Sequence, residues 1–297
     1  MRGIGHVGAV YELERAGYKF RNVAGTSAGA IVASLLAAGY DARELGEIMS
    51  NVNFEKFRQA NNWYVHLGRI GRFISATRNF GVYSADMFEK WLSNMLIRKG
   101  VRTFADVRGR LKMTASDITG QRILVLPDDL VKFGIDPQNF SIATAVRMSM
   151  SIPIFYEPYE LRDQHGNVHL IADGGMLSNY PIWLFDNGHI VPDVPLFGFR
   201  FIRAPRKHRH ERPNFLGYLT KIIQTVIDDD DIFLNLIRGD VHRTINIPVT
   251  VGDTVIASTD FDMTREQIDG IYNNGRDAAS RFLENWDFQA WKSMHRA

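Results

Sequence analysis

Residues 22–40 read NVAGTSAGAIVASLLAAGY, a short apolar run, a serine between two close glycines, and a long stretch of small and aliphatic residues closed by Gly39. The run into Gly25 is strand material. From 28 to 38, Ile31, Val32, Leu35 and Leu36 stand among alanines as in a buried helix, with glycine to stop it. Gly25-Thr26-Ser27-Ala28-Gly29 matches the G-x-S-x-G nucleophile elbow, which requires a strand before it and a helix after it. A sharp turn there lifts the Ser27 hydroxyl clear of the sheet, and the glycines keep Cβ atoms out of crowded backbone. The helix beginning at Ala28 aims free N–H groups and the positive end of its dipole at charge developing beside the serine. The pentapeptide also serves as a plain close-packed turn, so catalysis needs a base from elsewhere.

Working outward, Val7, Val10 and Leu13 recur at helical spacing before Gly17 and predict a helix over residues 4–16. Residues 41–100 read as a helical, aromatic, cap-like region. LKMTASDITGQRILVLP predicts a strand, a turn and a second strand. FSIATAVRMSMSIPIFYEPYEL predicts a helix broken at Pro153, and NVHLIADGGMLSNYP a strand entering a glycine turn. LFGFRFI is another strand, residues 203–213 a basic surface loop, and a helix from about Phe215, a strand near RTINIPV and a last helix close the chain. Alternating strands and helices argue an α/β fold with a mostly parallel central sheet, in one domain over residues 1–297.

The 297 residues are 45% hydrophobic and 23% charged, with formal net charge +2 and no cysteine. That balance gives no electrostatic case for a nucleic-acid partner, and the missing cysteines exclude disulfides and thiolate chemistry. The N-terminus lacks the plan of a secretory signal, and no charge-free run reaches the ~18 apolar residues that span a bilayer. The expected location is cytoplasmic, peripheral at a membrane at most. No metal-ligand spacing, nucleotide loop or dinucleotide fingerprint is present, so neither metal nor cofactor is expected.

The histidines after the elbow, His66, His165, His169, His189, His208, His210, His242 and His295, sit in no helpful motif. His6 shares a helix face with Val7 and Val10 and reads as packed and hydrogen-bonded. Asp173, by contrast, follows the strand-like NVHLIA and precedes Gly174 and Gly175. A carboxylate there is placed to reach a cleft, and equally to cap its own turn.

GTSAGA, ADGG and the opening RG, in that order, resemble the patatin-like phospholipases, as a bacterial-type single-domain member. TASDITG, AVRMSMSIPIFYEP, SNYP and STDFD support the resemblance, which runs from Arg2 to about Trp286. It implies a three-layer α/β/α fold, Ser27 as nucleophile and Asp173 as base, an acyl-serine intermediate, and a phospholipid or other acyl-ester lipid as substrate. It also implies an oxyanion hole of main-chain N–H groups, of which Arg2 and Gly3 match the closing residues. Arg147 and Ser149 are read as shaping the site, by resemblance. Family members carry a strand and several glycines before this RG, so the first strand and most of that loop are expected to be missing here. Either the true start lies upstream or part of the machinery is lost.

An ordinary aspartate, of pKa ~3.9, is a weak base for a hydroxyl, so partial burial is expected to strengthen Asp173. Two stretches offer a membrane contact: Trp63 to Phe80, with Arg69, Arg72 and Arg78, and the loop of Arg206, Lys207 and Arg209. Two other functions stay open, a lipid-binding or regulatory protein of the same fold and a serine esterase with an unrecognised histidine.

Overall fold

Helix α1 (Ile4–Arg15) stops where Gly17 takes a left-handed φ of 91°, and the chain turns into β1 (Val23–Thr26). Helix α2 (Ala28–Ala37) starts immediately after Ser27 and ends before Gly39, also left-handed at φ 94°. The computed structural model describes residues 2–58, 68–186, 193–203, 213–228, 241–260 and 262–294.

Helix α3 (Ala42–Asn51) opens with a capping box in which the Asp41 side chain accepts from Glu44 N–H and the Glu44 side chain from Asp41 N–H. Then come α4 (Gly68–Arg78), β2 (Gly81–Tyr83) and α5 (Asp86–Arg98). The predicted hairpin is β3 (Leu111–Asp117) and β4 (Arg122–Leu126). Helix α6 (Ile142–Met150) ends before Pro153 and is followed by β5 (Ile154–Tyr156), β6 (Tyr159–Arg162) and β7 (Val168–Asp173). The last elements are β8 (Gly198–Ile202), α7 (Phe215–Asp228), β9 (Thr244–Pro248), the hairpin β10 (Thr250–Val251) and β11 (Thr254–Val255), α8 (Arg265–Asn285) and α9 (Phe288–Met294).

Helices α2 and α6 pack together on β1, β3 and β7, while α1 and α8 pack on each other and on β9. The α1–α8 crossing is close because small residues meet there: a Cβ on Gly8 would lie 2.0 Å from the Tyr272 carbonyl oxygen, and one on Gly275 would lie 1.9 Å from that of Gly5. Ile31, Val32 and Leu35 of α2 are buried, each contributing about 1.5–3 kcal/mol of transfer free energy.

The sheet corrects one expectation. Its strands are of mixed direction: β1 runs parallel to β3, but β3–β4, β3–β7 and β6–β7 are antiparallel. Parallel pairing recurs only in the two-stranded β2–β5 and β8–β9 among the described residues. Alternation along the chain predicted parallel strands, but β3 and β4 join through a tight turn and β6 and β7 through a short one, and such connections reverse direction.

The pairing along β3 positions the site. Strand β4 covers one edge over Met113–Asp117, which leaves the other edge to β1 over Leu111–Thr114 and to β7 over Ala115–Asp117. Because β1 is parallel and β7 antiparallel to β3, their C-terminal ends meet head to head, Thr26 opposite Thr114 and Asp173 opposite Ala115.

Candidate active site

Ser27 follows the end of β1 and Asp173 ends β7, so the register just described brings them together across 146 residues of sequence. The Ser27 hydroxyl donates to Asp173 Oδ2 at 2.6 Å. Ser27 sits at φ 53°, ψ −120°, a left-handed φ for a residue with a side chain, which costs on the order of 1–3 kcal/mol. The cost is offset by what holds it. Its carbonyl accepts from Ala30 and Ile31 N–H as α2 begins, and its own N–H donates to Ser149 Oγ at 3.0 Å.

The two elbow glycines differ. A Cβ on Gly25 would meet the Gly29 carbonyl carbon at 2.2 Å and Ala30 N at 2.5 Å, so Gly25 is required by crowding. At Gly29 the nearest atom is His6 Cε1 at 3.9 Å, so the crowding expected there is absent. The helix has already turned away from the strand by that residue. Thr26 faces inward, its hydroxyl 2.5 Å from that of Thr114 and donating to the Ser178 carbonyl at 2.9 Å. Ala28, the first residue of α2, contributes the main-chain N–H next after the serine.

Asp173 is fully buried. Its Oδ1 accepts from Gly175 N–H at 2.7 Å, its N–H donates to the Ser151 carbonyl at 2.8 Å, and its carbonyl accepts from Ser116 Oγ at 2.9 Å. The turn-capping role and the approach to the serine therefore coexist, one carboxylate oxygen for each. Burial pushes the carboxyl up to about 6, against the opposing pull of hydrogen bonds from Ser27 and Gly175. Gly174 admits no side chain, since a Cβ would lie 2.3 Å from the Thr114 carbonyl oxygen.

Gly3 caps α1 with its backbone against the elbow: a Cβ on it would stand 3.4 Å from Ala28 Cβ. The Arg2 guanidinium instead lies 5.2 Å from the centre of the Phe201 ring. His6 is packed as expected, stacked on Phe201 at 4.3 Å, but its Nδ1 finds no hydrogen-bond partner among the described residues, which corrects the hydrogen-bonded reading. Burial first, and Arg2 second, push His6 down to about 4, so it is neutral. A cavity of about 420 Å³ lies between β1 and β8 beside Ser27, with His6, Ile152, Tyr180 and Phe201 in its wall.

His169 Nδ1 lies 3.0 Å from buried Asp117, and His165 and His242 are exposed. His66, His189, His208, His210 and His295 lie outside the described residues, as do Trp63 and the loop of Arg206, Lys207 and Arg209. Among the described residues no group of His, Asp or Glu is arranged to hold a metal ion, and no helix is long and apolar enough to cross a membrane.

Of the two residues read as shaping the site, Ser149 touches the elbow, whereas Arg147 pairs with Asp86 at 2.6 Å and Glu89 at 2.9 Å and ties α6 to α5. Sequence reasoning missed the hydroxyls of Thr114 and Ser116. Their signal is two small polar residues at alternate positions of the strand, flanking Ala115 and next to buried Met113.

A serine on a strained strand-to-helix turn, bonded to a buried carboxylate on a three-layer α/β/α scaffold, defines the class: α/β proteins that present a serine elbow. Within it the chain belongs to the patatin-like phospholipase family, whose pattern matches residues 1–186. Protein YqhO of Bacillus subtilis (strain 168) is 35% identical over 292 residues, 97% of this chain and 96% of that one. The NTE family protein Rv2565 of Mycobacterium tuberculosis is 29% identical over 183 residues, 61% of this chain and 25% of its own. Among solved structures, VipD from Legionella pneumophila superposes with a TM-score of 0.52 at 15% identity over 95% of this chain. The type III effector protein ExoU of Pseudomonas aeruginosa gives 0.50 at 16% over 98%. The chain spans 65% of VipD and 51% of ExoU, and the likeness to them shows the fold. Family membership supports lipase or phospholipase activity in general, the hydrolysis of acyl esters.

Proposed function

We propose that this chain is a lipid acyl hydrolase that cleaves fatty acyl esters through a Ser27–Asp173 dyad. The observation that carries the reading is the 2.6 Å hydrogen bond from Ser27 Oγ to a fully buried Asp173 whose carboxyl is raised to about 6. A carboxylate of ordinary acidity accepts a hydroxyl proton poorly; one raised by burial is a better base and still ionised at neutral pH.

Asp173 takes the Ser27 proton as Oγ attacks the ester carbonyl, and the tetrahedral oxyanion is held by main-chain N–H groups at the start of α2, with the Gly3 backbone beside them. The proton passes from Asp173 to the departing alcohol, leaving an acyl-serine. Water, deprotonated by Asp173, then releases the fatty acid and restores the serine. The dipole of α2 favours the negative charge at each tetrahedral stage.

The test is labelling of the purified protein with a fluorophosphonate, mapped by peptide mass spectrometry, with Ser27→Ala and Asp173→Asn alongside. Labelling at Ser27 that collapses in Asp173→Asn is expected. A folded protein that takes no label, or takes it equally without Asp173, refutes the dyad.

A further inference from the structure

Helix α7 is fixed on one side and bare on the other. Ile227 is buried: its Cγ2 would lie 3.4 Å from a Cβ on Gly175, and its carbonyl accepts from Asn179 Nδ2 at 2.8 Å. The inner side of α7 thus rests on the turn that carries Asp173. On the opposite side Phe215, Tyr218, Ile222 and Val226 are 63%, 56%, 43% and 45% exposed. Their spacing of three, four and four residues puts them in one stripe along 14 residues of helix. Beside the turn, Leu177 and Trp183 are exposed as well. The Trp183 indole N–H donates to Ser178 Oγ at 3.3 Å, an apolar ring with one polar edge of the kind that settles at membrane interfaces.

We propose that this outer face of α7 is a docking surface for an anionic lipid bilayer, set against the turn that carries the proposed base. The proposal rests on the lipid-hydrolase reading above, since an acyl ester embedded in a bilayer must be brought to Ser27. The stripe offers a few hundred Å² of apolar surface, about half of what each side of a stable protein complex buries. That is small for a protein partner and adequate for insertion into the headgroup boundary. Lys221 stands exposed at the edge of the stripe, next to Tyr218, where its ammonium meets anionic headgroups as the apolar side chains insert.

The test is co-sedimentation with phosphatidylcholine vesicles with and without phosphatidylglycerol, for wild type, Phe215→Asp/Ile222→Asp, Lys221→Glu and the conservative Phe215→Leu. Hydrolysis of a water-soluble short-chain ester and thermal unfolding run in parallel. The double variant is expected to partition about tenfold or more weakly, with soluble-ester turnover and melting point unchanged. Lys221→Glu should weaken only the binding to phosphatidylglycerol vesicles, and Phe215→Leu should bind as wild type. Wild type that ignores vesicles, or a double variant that binds as wild type, overturns the docking face. So does light scattering that shows the double variant turning a dimer into monomers with vesicle binding intact. A protein that binds vesicles through α7 and leaves the soluble ester untouched refutes the hydrolase reading and upholds the docking face.

Discussion

Replacing Asp173 by asparagine is expected to abolish hydrolysis and, above pH 6, to stabilise the protein. The carboxyl is fully buried and raised from 3.8 to about 6. Each tenfold change in proton affinity is worth about 1.36 kcal/mol, so ionised Asp173 costs the folded state about 3 kcal/mol at neutral pH. The sign follows from the direction. A carboxyl whose folded pKa lies above its unfolded one favours the fold fully below about 3.8; that contribution drains away up to about 6 and is gone above it. Asparagine fits the same place: its oxygen accepts from Gly175 N–H, as Oδ1 does at 2.7 Å, and its amide donates to Ser27 Oγ. The variant should therefore match wild type at pH 4 and exceed it by about 2–3 kcal/mol at pH 8, a rise of about 3–6 °C in a chain of this size. Urea and thermal unfolding at pH 4, 6 and 8 read it directly, beside turnover of a soluble ester. In wild type the acid limb of the kcat/KM profile should fall near pH 6. Equal stability of the two proteins at pH 8, or the same gap at pH 4 and pH 8, refutes a raised carboxyl, and with it the physical basis of the proposed base.

Ser149→Ala leaves the half-buried Ser27 N–H without its acceptor; we expect a loss of about 1 kcal/mol in stability and about tenfold in kcat at little-changed KM, whereas wild-type kcat refutes a positioning role. Gly25→Ala should fail to accumulate as folded protein, while Gly29→Ala, which has room and lies inside α2, should keep activity and gain up to about 1 kcal/mol; melting both variants decides this. His6 behaves oppositely to Asp173. Its folded pKa of about 4 lies below the unfolded one, so its contribution is complete above pH 6.5 and lost as pH falls through 4, and His6→Leu should flatten that slope in acid unfolding.

The elbow was legible because it is local: five residues, the apolar run before them and the alanine-rich helix after them all agree. Asp173 was legible only through its strand-then-glycine setting and the family pattern, since nothing in the residues themselves says that it faces Ser27. Strand direction was legible only where a short turn joins neighbours, as at β3–β4. Alternating elements favour parallel pairing, and the antiparallel pairing of β3 with the distant β7 depends on which edge of β3 is free when the sheet assembles. Gly29 shows the reverse error, in which a motif position was credited with a steric need that the backbone does not impose. The orphaned Nδ1 of His6 was equally out of reach, because helical spacing reveals burial and says nothing about partners.

What makes two residues so distant in sequence a pair is the register of one strand. A slip of a single residue between β3 and β7 would carry Asp173 along by about 3.3 Å and turn its side chain to the other face of the sheet, so the 2.6 Å bond depends on that register. Hydroxyls of β3 itself guard it. Thr114 donates to the Thr26 hydroxyl at 2.5 Å, which in turn donates to the Ser178 carbonyl at 2.9 Å, while Ser116 donates to the Asp173 carbonyl at 2.9 Å. These bonds are buried, and a slipped register would leave their donors and carbonyls unpaired at about 1–3 kcal/mol each. The strand thus holds both members of the pair through the small hydroxyls of Thr114 and Ser116, which alternate with buried Met113 and Ala115.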